Sequence, residues 1–331
     1  MTHKLNGLKM SFPEKPLLVI VGPTAVGKTA TAIALAKRLD GEIISADSRY
    51  FYRGMDIGTA KPTLEERDGV PHYLIDVAEP GDTWSLALFK SAAEEKIANV
   101  QQRGKLPILV GGTGQYVRAV IEGWSIPEQE PDTRLREAVT DWGEEIGAEG
   151  LHRRLAVVDP EAARQIDYHN QRRTVRALEV IFNTGRRFSD QRTKSSSPYS
   201  LFLLGLNLER PLLYQRIDAR IESMLIAGLV EETRALLAKG LSPDLPAMSA
   251  IGYREVTGYL QGHYDLDEAV RLIKRNTRIF VRRQANWFKE SDEKIHWFHA
   301  TQTTVDEMVA AINQASNWLA LQGDNDPQEV I

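Results

Sequence analysis

A glycine-rich segment of eight residues constrains the fold of this chain more than any other stretch. It reads Gly22, Pro23, Thr24, Ala25, Val26, Gly27, Lys28 and Thr29. An apolar run at residues 17–21 precedes it, and a run of helix-forming residues at 30–36 follows it. A buried strand, a glycine turn and a helix N-terminus form the context of a P-loop, whose backbone N–H groups and helix dipole bind phosphate. The segment predicts a phosphate or diphosphate site, with Lys28 as a cation and the Thr29 hydroxyl as an Mg²⁺ ligand, and leaves open whether a nucleotide such as ATP supplies the phosphates.

Composition restricts the class of protein and the kinds of site. The 331 residues are 42% hydrophobic and 26% charged, which is typical of a globular protein. A chain of this length usually has more than one domain. There is no cysteine, which excludes disulfides and cysteine-ligated zinc. The first fifteen residues have no signal-peptide pattern and the apolar run after them is too short to span a membrane, so we expect a cytoplasmic protein without a membrane partner. Because the net charge is −4, any nucleic acid must be bound by local basic patches.

Strand-like and helix-like patterns alternate in the first part of the chain. Strand patterns lie at residues 17–21, 41–48, 72–77 and 106–110, and a long helical pattern lies at 84–103. This alternation predicts an α/β fold with a parallel sheet flanked by helices. Ligands of such sheets bind beyond the carboxyl ends of the strands, so Asp47, Ser48 and Thr113 are expected beside the P-loop. Capping of a helix is an alternative role for Thr113.

Two features near this predicted site have more than one interpretation. Residues 53–62 are polar and rich in glycine, without helical or strand periodicity, and form either an active-site loop or a plain connection. Asp47 follows the second strand directly. A kinase would use such an acid as an Mg²⁺ ligand or as a base for a hydroxyl, whereas a transferase acting on an amine would use it to orient the nucleophile and accept its proton.

The middle of the chain differs from its flanks. Strand patterns disappear after residue 126, and helical patterns follow at 132–146, 150–157, 160–166 and 171–183. We interpret residues 126–198 as a helical insertion between a first core part, 15–125, and a second core part, 199–320. The second part begins with a strand at 201–206 and is otherwise mainly helical, with patterns at 210–227, 230–239, 253–261 and 267–289. Residues 321–331 are expected to form a frayed tail.

Two basic clusters stand out against the acidic total. Residues 172–194 contain seven Lys or Arg and two acids, and residues 271–289 contain seven and no acid. Four arginines of the second cluster share one helix face: Arg271, Arg275, Arg278 and Arg282. A face of one sign favours contact with a polyanion, unless acids from elsewhere in the fold pair with it. Arg216 and Arg220 are also four residues apart, and either reach one anion or pair with Asp218 and Glu222.

Seven motifs occur in an order typical of one enzyme family. They are the P-loop and residues 44–48, 52–62, 109–114, 176–180, 250–254 and 283–288. Together they closely resemble bacterial tRNA dimethylallyltransferases, also called tRNA isopentenyltransferases. The likeness runs from about residue 17 to about residue 297, and the segment Gly-Met-Asp-Ile-Gly-Thr-Ala-Lys-Pro at 54–62 is far more specific than the P-loop.

The resemblance implies a P-loop NTPase-like core with a helical insertion. It also implies transfer of a dimethylallyl group from dimethylallyl diphosphate to N6 of adenosine 37, in the anticodon stem-loop of tRNA, with Mg²⁺. In that family the P-loop binds the diphosphate of the prenyl donor and not ATP. The eight P-loop residues match the donor site, with Lys28 as a catalytic cation. Asp47 matches the general base, and Thr113 matches the position at the reacting amine. Arg220, with Arg216, matches a diphosphate-binding arginine.

The resemblance further assigns three segments to tRNA contact. They are Asp47, Ser48, Arg49 and Tyr50; Arg172, Arg173, Thr174, Val175 and Arg176; and Ser249, Ala250, Ile251, Gly252, Tyr253 and Arg254. Two positions depart from the family pattern: Tyr50 stands where a glutamine is common, and Gln115 where an aliphatic residue is common. A tyrosine ring at residue 50 can still stack on a base.

Three other functions compete with a monomeric tRNA prenyltransferase. An isopentenyltransferase acting on free adenosine phosphates would have little use for the basic insertion. A small-molecule P-loop kinase would not need the two basic clusters. A non-catalytic nucleic-acid binder would leave the P-loop, Asp47 and Thr113 without a role.

Overall fold

The computed structural model describes residues 2–5, 8–11, 13–126, 132–190, 197–315 and 320–322. The chain divides into two units, one made of Met1–Ile121 with Ser197–Ile331 and the other of Glu122–Ser196. The second unit corresponds to the insertion predicted at residues 126–198. The tRNA contact assigned to it stays a prediction.

Nine strands and eleven helices lie within the described residues. The strands are β1 (Thr2–Leu5), β2 (Leu8–Ser11), β3 (Pro16–Val21), β4 (Gly41–Ser45), β5 (His72–Tyr73), β6 (Leu106–Val110), β7 (Ser200–Asn207), β8 (Ile295–His299) and β9 (Ala320–Gln322). The helices are α1 (Lys28–Leu39), α2 (Leu86–Gln102), α3 (Gly114–Ile121), α4 (Thr133–Val158), α5 (Pro160–Gln165), α6 (Gln171–Thr184), α7 (Arg210–Ile226), α8 (Leu229–Ala238), α9 (Tyr253–Leu260), α10 (Leu266–Gln284) and α11 (Thr304–Gln314).

A six-stranded sheet forms the centre of the first unit. Its order is β5-β4-β6-β3-β7-β8, and all neighbouring strands are parallel. The predicted α/β class, a P-loop NTPase-like parallel sheet flanked by helices, is confirmed. Strands β1, β2 and β9 form a separate antiparallel sheet. Because β3 lies between β6 and β7, the segment that follows it emerges at the middle of the sheet.

The side chains of β3 alternate between two cores. Leu18 and Ile20 pack on the face covered by α1 and α7 to α11, and Leu17, Val19 and Val21 pack on the face covered by α2 and α3. All five are fully buried. A strand buried on both faces has a continuous apolar sequence, and each such side chain contributes about 1.5–3 kcal/mol of transfer free energy.

The second unit is helical and has its own core. Helices α4, α5 and α6 enclose an apolar cluster that includes Val139, Leu155, Ala163 and Leu178. The two helices predicted at 132–146 and 150–157 are continuous in α4 except at Gly147, whose backbone (φ 75°, ψ 160°) is not helical. Glycine is suited to that conformation because it has no Cβ.

Several predicted elements differ from the observed ones. The strand predicted at 72–77 is reduced to β5, because Leu74 and Asp76 have φ angles of 61° and 56°, which end the pairing. The helix predicted at 267–289 ends with α10 at Gln284. Residues 321 and 322 belong to β9 and are not part of a frayed tail, and residues 323–331 lie outside the described residues. Strands β1, β2 and β8 and helices α3 and α11 are absent from the prediction.

Among the described residues, no helix is at once long enough and apolar enough to cross a membrane.

Candidate active site

A cavity of about 550 Å³ opens at the carboxyl ends of β3, β4 and β6. Its wall includes the P-loop, the start of α1, the ends of β4 and β6, the turn after β4, the segment at 53–62, residues between 66 and 75, and α7. Its lining includes Thr24, Ala25, Gly27, Lys28, Thr29, Asp47, Tyr50, Ala60, Gly112, Arg216 and Arg220. The cavity therefore brings together residues that are up to almost two hundred positions apart in the sequence.

The P-loop presents free helix N–H groups to this cavity. Ala25 and Gly27 have φ angles of 67° and 109°, and these left-handed residues turn the chain between β3 and α1. Within the described residues, no side chain caps the first turn of α1. Uncapped N–H groups at a helix N-terminus, together with the helix dipole, form a site for an anion.

Lys28 is the central cation of this site. Its Nζ donates a hydrogen bond to the carbonyl of Pro23 at 2.7 Å. Burial lowers the pKa of Lys28 from 10.5 to about 8, the carboxylate of Asp47 opposes this shift, and the charge of Arg220 adds to it. A bound diphosphate would raise this pKa again, because an anion stabilises the charged amine.

The affinity of this site for a diphosphate is expected to fall as the pH rises through about 8. The amine of the free protein loses its proton in this range, and the complex needs it charged. Without Mg²⁺, we expect the dissociation constant of dimethylallyl diphosphate, the donor that the family resemblance implies, to be roughly tenfold higher at pH 9 than at pH 7. Calorimetric titration measures this difference. A Lys28→Met variant controls for ionisation of the donor itself, and an equal pH dependence in that variant would contradict the assignment.

Asp47 and Thr113 lie on adjacent loops. The Thr113 hydroxyl accepts a hydrogen bond from the Ser48 N–H at 3.5 Å, and Asp47 Oδ1 accepts one from the Arg49 N–H at 3.0 Å. The loops approach closely because residue 111 is glycine: a Cβ there would lie 2.5 Å from the carbonyl oxygen of Ala46. The Thr113 carbonyl also accepts hydrogen bonds from two N–H groups in the first turn of α3. Thr113 therefore begins that helix through its backbone and faces the Asp47 turn through its side chain.

Two arginines of α7 close the cavity opposite the sheet. Arg216 Nη1 donates to the carbonyl of Val26 in the P-loop at 3.1 Å, and Arg220 Nη2 donates to the carbonyl of Thr59 at 2.9 Å. Both bonds are to neutral carbonyls, so the positive charges remain available to an anion. The acids that were alternative partners, Asp218 and Glu222, pair instead with Arg278 and Lys274 of α10. The structure thus favours the anion-site interpretation of Arg216 and Arg220.

The segment at 53–62 lines the cavity and is held from two sides. Lys61 is buried, and its Nζ donates to the carbonyl of Tyr52 at 2.8 Å and to the carboxylates of Asp56 and Asp76 at 2.6 Å each. On the other side, one carboxylate of α8, Glu232, accepts hydrogen bonds from the N–H groups of residues 56, 57 and 58. A loop fixed in this way can present its carbonyl groups at constant positions.

Comparison with known proteins identifies the family. The "IPP transferase" family profile matches residues 50–291, and the "Isopentenyl transferase" profile matches residues 15–78. The tRNA dimethylallyltransferase of Thermomicrobium roseum is 48% identical over 288 residues, which cover 87% of this chain and 87% of the relative. That of a Roseiflexus species is 51% identical over 274 residues, covering 83% of this chain and 90% of the relative. The chain belongs to the IPP transferase family.

A solved structure of another IPP transferase agrees with this assignment. The full-length tRNA isopentenylpyrophosphate transferase from Bacillus halodurans is 43% identical with a TM-score of 0.67, over 90% of this chain and 94% of that one. A eukaryotic dimethylallyltransferase acting on tRNA matches with a TM-score of 0.77 at 26% identity, over 94% of this chain and 82% of that one. The resemblance stated from the motifs is confirmed by these relatives.

Two of the three segments assigned to tRNA contact meet in this IPP transferase. Arg49 Nη1 donates to the carbonyl of Pro246 at 2.8 Å, and the Ser249 hydroxyl donates to the same carbonyl at 2.6 Å. Ser249 and Arg254 are exposed, whereas Ala250, Gly252 and Tyr253 are buried. The side chain of Tyr253 packs on Gly58, where a Cβ would lie 2.4 Å from its ring, so it supports the segment at 53–62 from outside the cavity.

The third segment, on α6, contains both exposed and buried side chains. Arg172 and Arg173 are exposed. Thr174 and Val175 face the core of the helical unit, and Arg176 pairs with the buried carboxylate of Glu179 at 2.7 Å. The tRNA contact of this segment stays a prediction, and Arg172 and Arg173 have the side chains best exposed for it. At the other departure from the family pattern, Gln115 is exposed on α3, where a polar side chain needs no partner.

The basic face predicted on α10 is partly neutralised. Arg271 pairs with Glu268 of its own helix, and Arg278 pairs with Asp218 of α7 at 2.6 Å and lies over the ring of Tyr214. For these two residues, acids outside the counted window provide ion-pair partners, which is the alternative that the sequence left open. Arg275 and Arg282 have no ion pair within the part of the chain that the structure describes, so the prediction of tRNA contact applies best to them.

Sequence reasoning missed one residue that organises the site. Gln284, at the end of α10, accepts a hydrogen bond from the Thr24 N–H at 2.9 Å and donates one to the carbonyl of Gly112 at 3.0 Å. It therefore links the P-loop to the loop that carries Thr113. Its signal in the sequence is its spacing from Ile273 and Val281, which places a polar side chain on the buried face of an amphipathic helix.

Proposed function

We propose that this protein transfers a dimethylallyl group from dimethylallyl diphosphate to N6 of adenosine 37 in tRNA, releasing diphosphate. The observation that carries the proposal is the convergence of the P-loop, Asp47 and the two arginines of α7 on one cavity, with Thr113 beside it. The cationic side fits a diphosphate, and the carboxylate side fits an exocyclic amine. Membership of the IPP transferase family supports the same reaction.

The cationic side would stabilise the leaving group. Breakage of the allylic C–O bond leaves its electron pair, and so a growing negative charge, on the diphosphate. Lys28, the uncapped N–H groups of α1 and the two arginines lie where that charge would develop. Because these groups are already in place, little reorganisation is needed as the bond breaks.

Magnesium fits this site as a partner of the diphosphate. Among the described residues there is no cluster of three or more His, Asp or Glu side chains that could bind a metal by itself. Thr29, the last residue of the P-loop, lines the cavity. Mg²⁺ commonly binds through few protein groups together with substrate phosphates, so Thr29 and the diphosphate would hold it, and it would neutralise charge on the leaving group.

The carboxylate side would position the nucleophile. An adenine amine is a weak nucleophile, so its orientation toward the allylic carbon contributes more than its basicity. We assign Asp47 to hold the amine through one N–H and to accept that proton as the C–N bond forms. The Thr113 hydroxyl, already beside the Asp47 turn, would fix the plane of the base.

The basic surfaces would bind the anticodon stem-loop. Residue 37 must leave its stacked neighbours to enter a cavity, at a cost of a few kcal/mol. Contacts of Arg172, Arg173, Arg275 and Arg282 with phosphates would offset this cost. Because tRNA is the acceptor, we place the activity in the cytoplasm, with one chain as the functional unit.

A donor assay tests the proposal. The protein is supplied with dimethylallyl diphosphate or ATP, each with and without tRNA transcripts, and consumption of the donor is followed. We expect dimethylallyl diphosphate to be consumed only when tRNA carrying adenosine 37 is present, and a transcript with guanosine at that position to be inactive. Consumption of ATP with a hydroxyl acceptor would instead indicate a kinase, and transfer to free adenosine phosphates would indicate the other class of isopentenyltransferase.

A further inference from the structure

The side chain of Tyr50 lies at the diphosphate end of the cavity. Its hydroxyl donates a hydrogen bond to the carbonyl of Ala60 at 3.0 Å. The preceding carbonyl, of Thr59, accepts the hydrogen bond from Arg220 Nη2 at 2.9 Å. Successive carbonyls of the segment at 53–62 thus hold Tyr50 and Arg220 side by side.

The tyrosine side chain lines the same cavity as the two groups nearest the anion site, Thr29 and Arg220. Burial raises the pKa of Tyr50 to about 12, with the charge of Asp47 as a further cause, so the hydroxyl keeps its proton at neutral pH. A phenol that donates to Ala60 has its oxygen lone pairs free to accept from a guanidinium.

We propose that Tyr50 is a positioning residue for the diphosphate site, where its hydroxyl holds the Arg220 guanidinium toward the leaving group, and that it is not a tRNA contact. The inference rests on the proposed function only for the identity of the donor. The phenol O–H donates to the carbonyl of Ala60, and the guanidinium, held by the preceding carbonyl, would donate to the phenol oxygen. The segment at 53–62 is anchored by Lys61 and Glu232, so this chain of contacts ends on a fixed support.

The side chains of the turn after β4 have two different roles. Residues 47–50 were assigned together to tRNA contact, yet their backbone turn points the side chains of Asp47 and Tyr50 into the cavity. Arg49, between them, donates to the carbonyl of Pro246 beside the exposed Ser249. The turn therefore divides its side chains between the donor site and the surface assigned to tRNA.

Replacement of Tyr50 by phenylalanine tests the inference, since it removes only the hydroxyl. Affinity for inorganic diphosphate is measured by calorimetry, with Mg²⁺ and with EDTA, and affinity for tRNA is measured by filter binding. We expect Tyr50→Phe to weaken diphosphate binding by roughly tenfold and to leave tRNA affinity within about twofold of the parent. In steady-state assays the KM for dimethylallyl diphosphate should rise while the KM for tRNA stays the same.

A double-mutant cycle with Arg220→Gln distinguishes positioning from independent contact. If the hydroxyl acts through Arg220, adding Tyr50→Phe to Arg220→Gln should change diphosphate affinity by less than about twofold. Tyr259→Phe, a partly buried tyrosine outside the cavity, serves as the matched control, and melting temperatures verify that each variant folds.

Three outcomes would overturn the inference: unchanged diphosphate affinity in Tyr50→Phe, an effect on tRNA affinity instead, or additive effects of the two substitutions. Should Tyr50→Phe melt early, Tyr50→Gln provides the second variant, because its shorter amide cannot span the distance to Ala60 and Arg220 and should lose diphosphate affinity to the same extent. Binding of inorganic diphosphate requires no transfer reaction. Failure of the proposed function would appear in the donor assay, whereas failure of this inference would appear in the binding of diphosphate.

Discussion

Replacement of Asp47 by asparagine is expected to lower the turnover number of prenyl transfer by about a thousandfold, within the range observed when a general base is removed. An amide has the size of the carboxylate but cannot accept the proton of the attacking amine. It retains an oxygen that can accept the hydrogen bond from the Arg49 N–H, now made to Asp47 Oδ1 at 3.0 Å, so the turn after β4 should keep its shape. The affinity for tRNA should therefore remain close to that of the parent protein.

Single-turnover transfer from labelled dimethylallyl diphosphate to tRNA measures this effect without interference from product release. Asp244→Asn is the matched control, because that aspartate is exposed and does not line the cavity. It should react at the parent rate. If Asp47→Asn also reacted at that rate, Asp47 would have no part in proton transfer, and the amine would have to lose its proton to water or to the leaving diphosphate.

Local patterns predicted the centre of the fold better than its edges. The run at residues 17–21 is buried on both faces of the sheet, and such a strand is apolar throughout, so its signal is strong. Strand β8 was missed although Ile295, Trp297 and Phe298 favour strands, because it is a short edge strand that pairs only with β7. Strand β5 was predicted too long, since the left-handed conformations of Leu74 and Asp76 depend on tertiary contacts, including the ion pair of Asp76 with Lys61.

The sequence predicted the part of the candidate site whose strand, turn and helix all lie within one motif. The P-loop includes its strand, turn and helix within about twenty residues, and its position needed no tertiary information. The partner of Arg278 depends instead on how α7 packs on α10, and that of Arg216 on how α7 lies against the P-loop, and helical spacing alone left both questions open. Gln284 illustrates the same limit, because its two hydrogen bonds join segments that are 260 and 172 residues away in the chain.

The segment at 53–62 is more specific to the family than the P-loop is, and we expect the second large effect from loss of the side chain that anchors it. Glu232 Oε1 and Oε2 accept hydrogen bonds from the N–H groups of residues 56, 57 and 58 at 2.9–3.1 Å, and the Tyr253 hydroxyl donates to the same carboxylate at 2.5 Å. Burial raises the pKa of Tyr253, and the nearby carboxylate of Glu232 raises it further. The phenol therefore keeps its proton and stays a donor. One side chain therefore satisfies four donors.

Glu232→Ala should leave these donors without an acceptor and lower the free energy of unfolding by about 3 kcal/mol, with each partly buried donor contributing less than a fully isolated one. Denaturant unfolding measures the change. Because Thr59 and Ala60 follow the released N–H groups directly, their carbonyls should also move, and Arg220 and Tyr50 would lose their support. We therefore expect a rise in the KM for dimethylallyl diphosphate in addition to the loss of stability.

Glu231→Ala is the matched control, since that neighbour is exposed and its contact with Arg234 is 3.8 Å long. It should change the free energy of unfolding by less than about 0.5 kcal/mol. Parent-like stability in Glu232→Ala would mean that Lys61 alone fixes the segment, and the position of Arg220 would then have to depend on α7 and not on the loop.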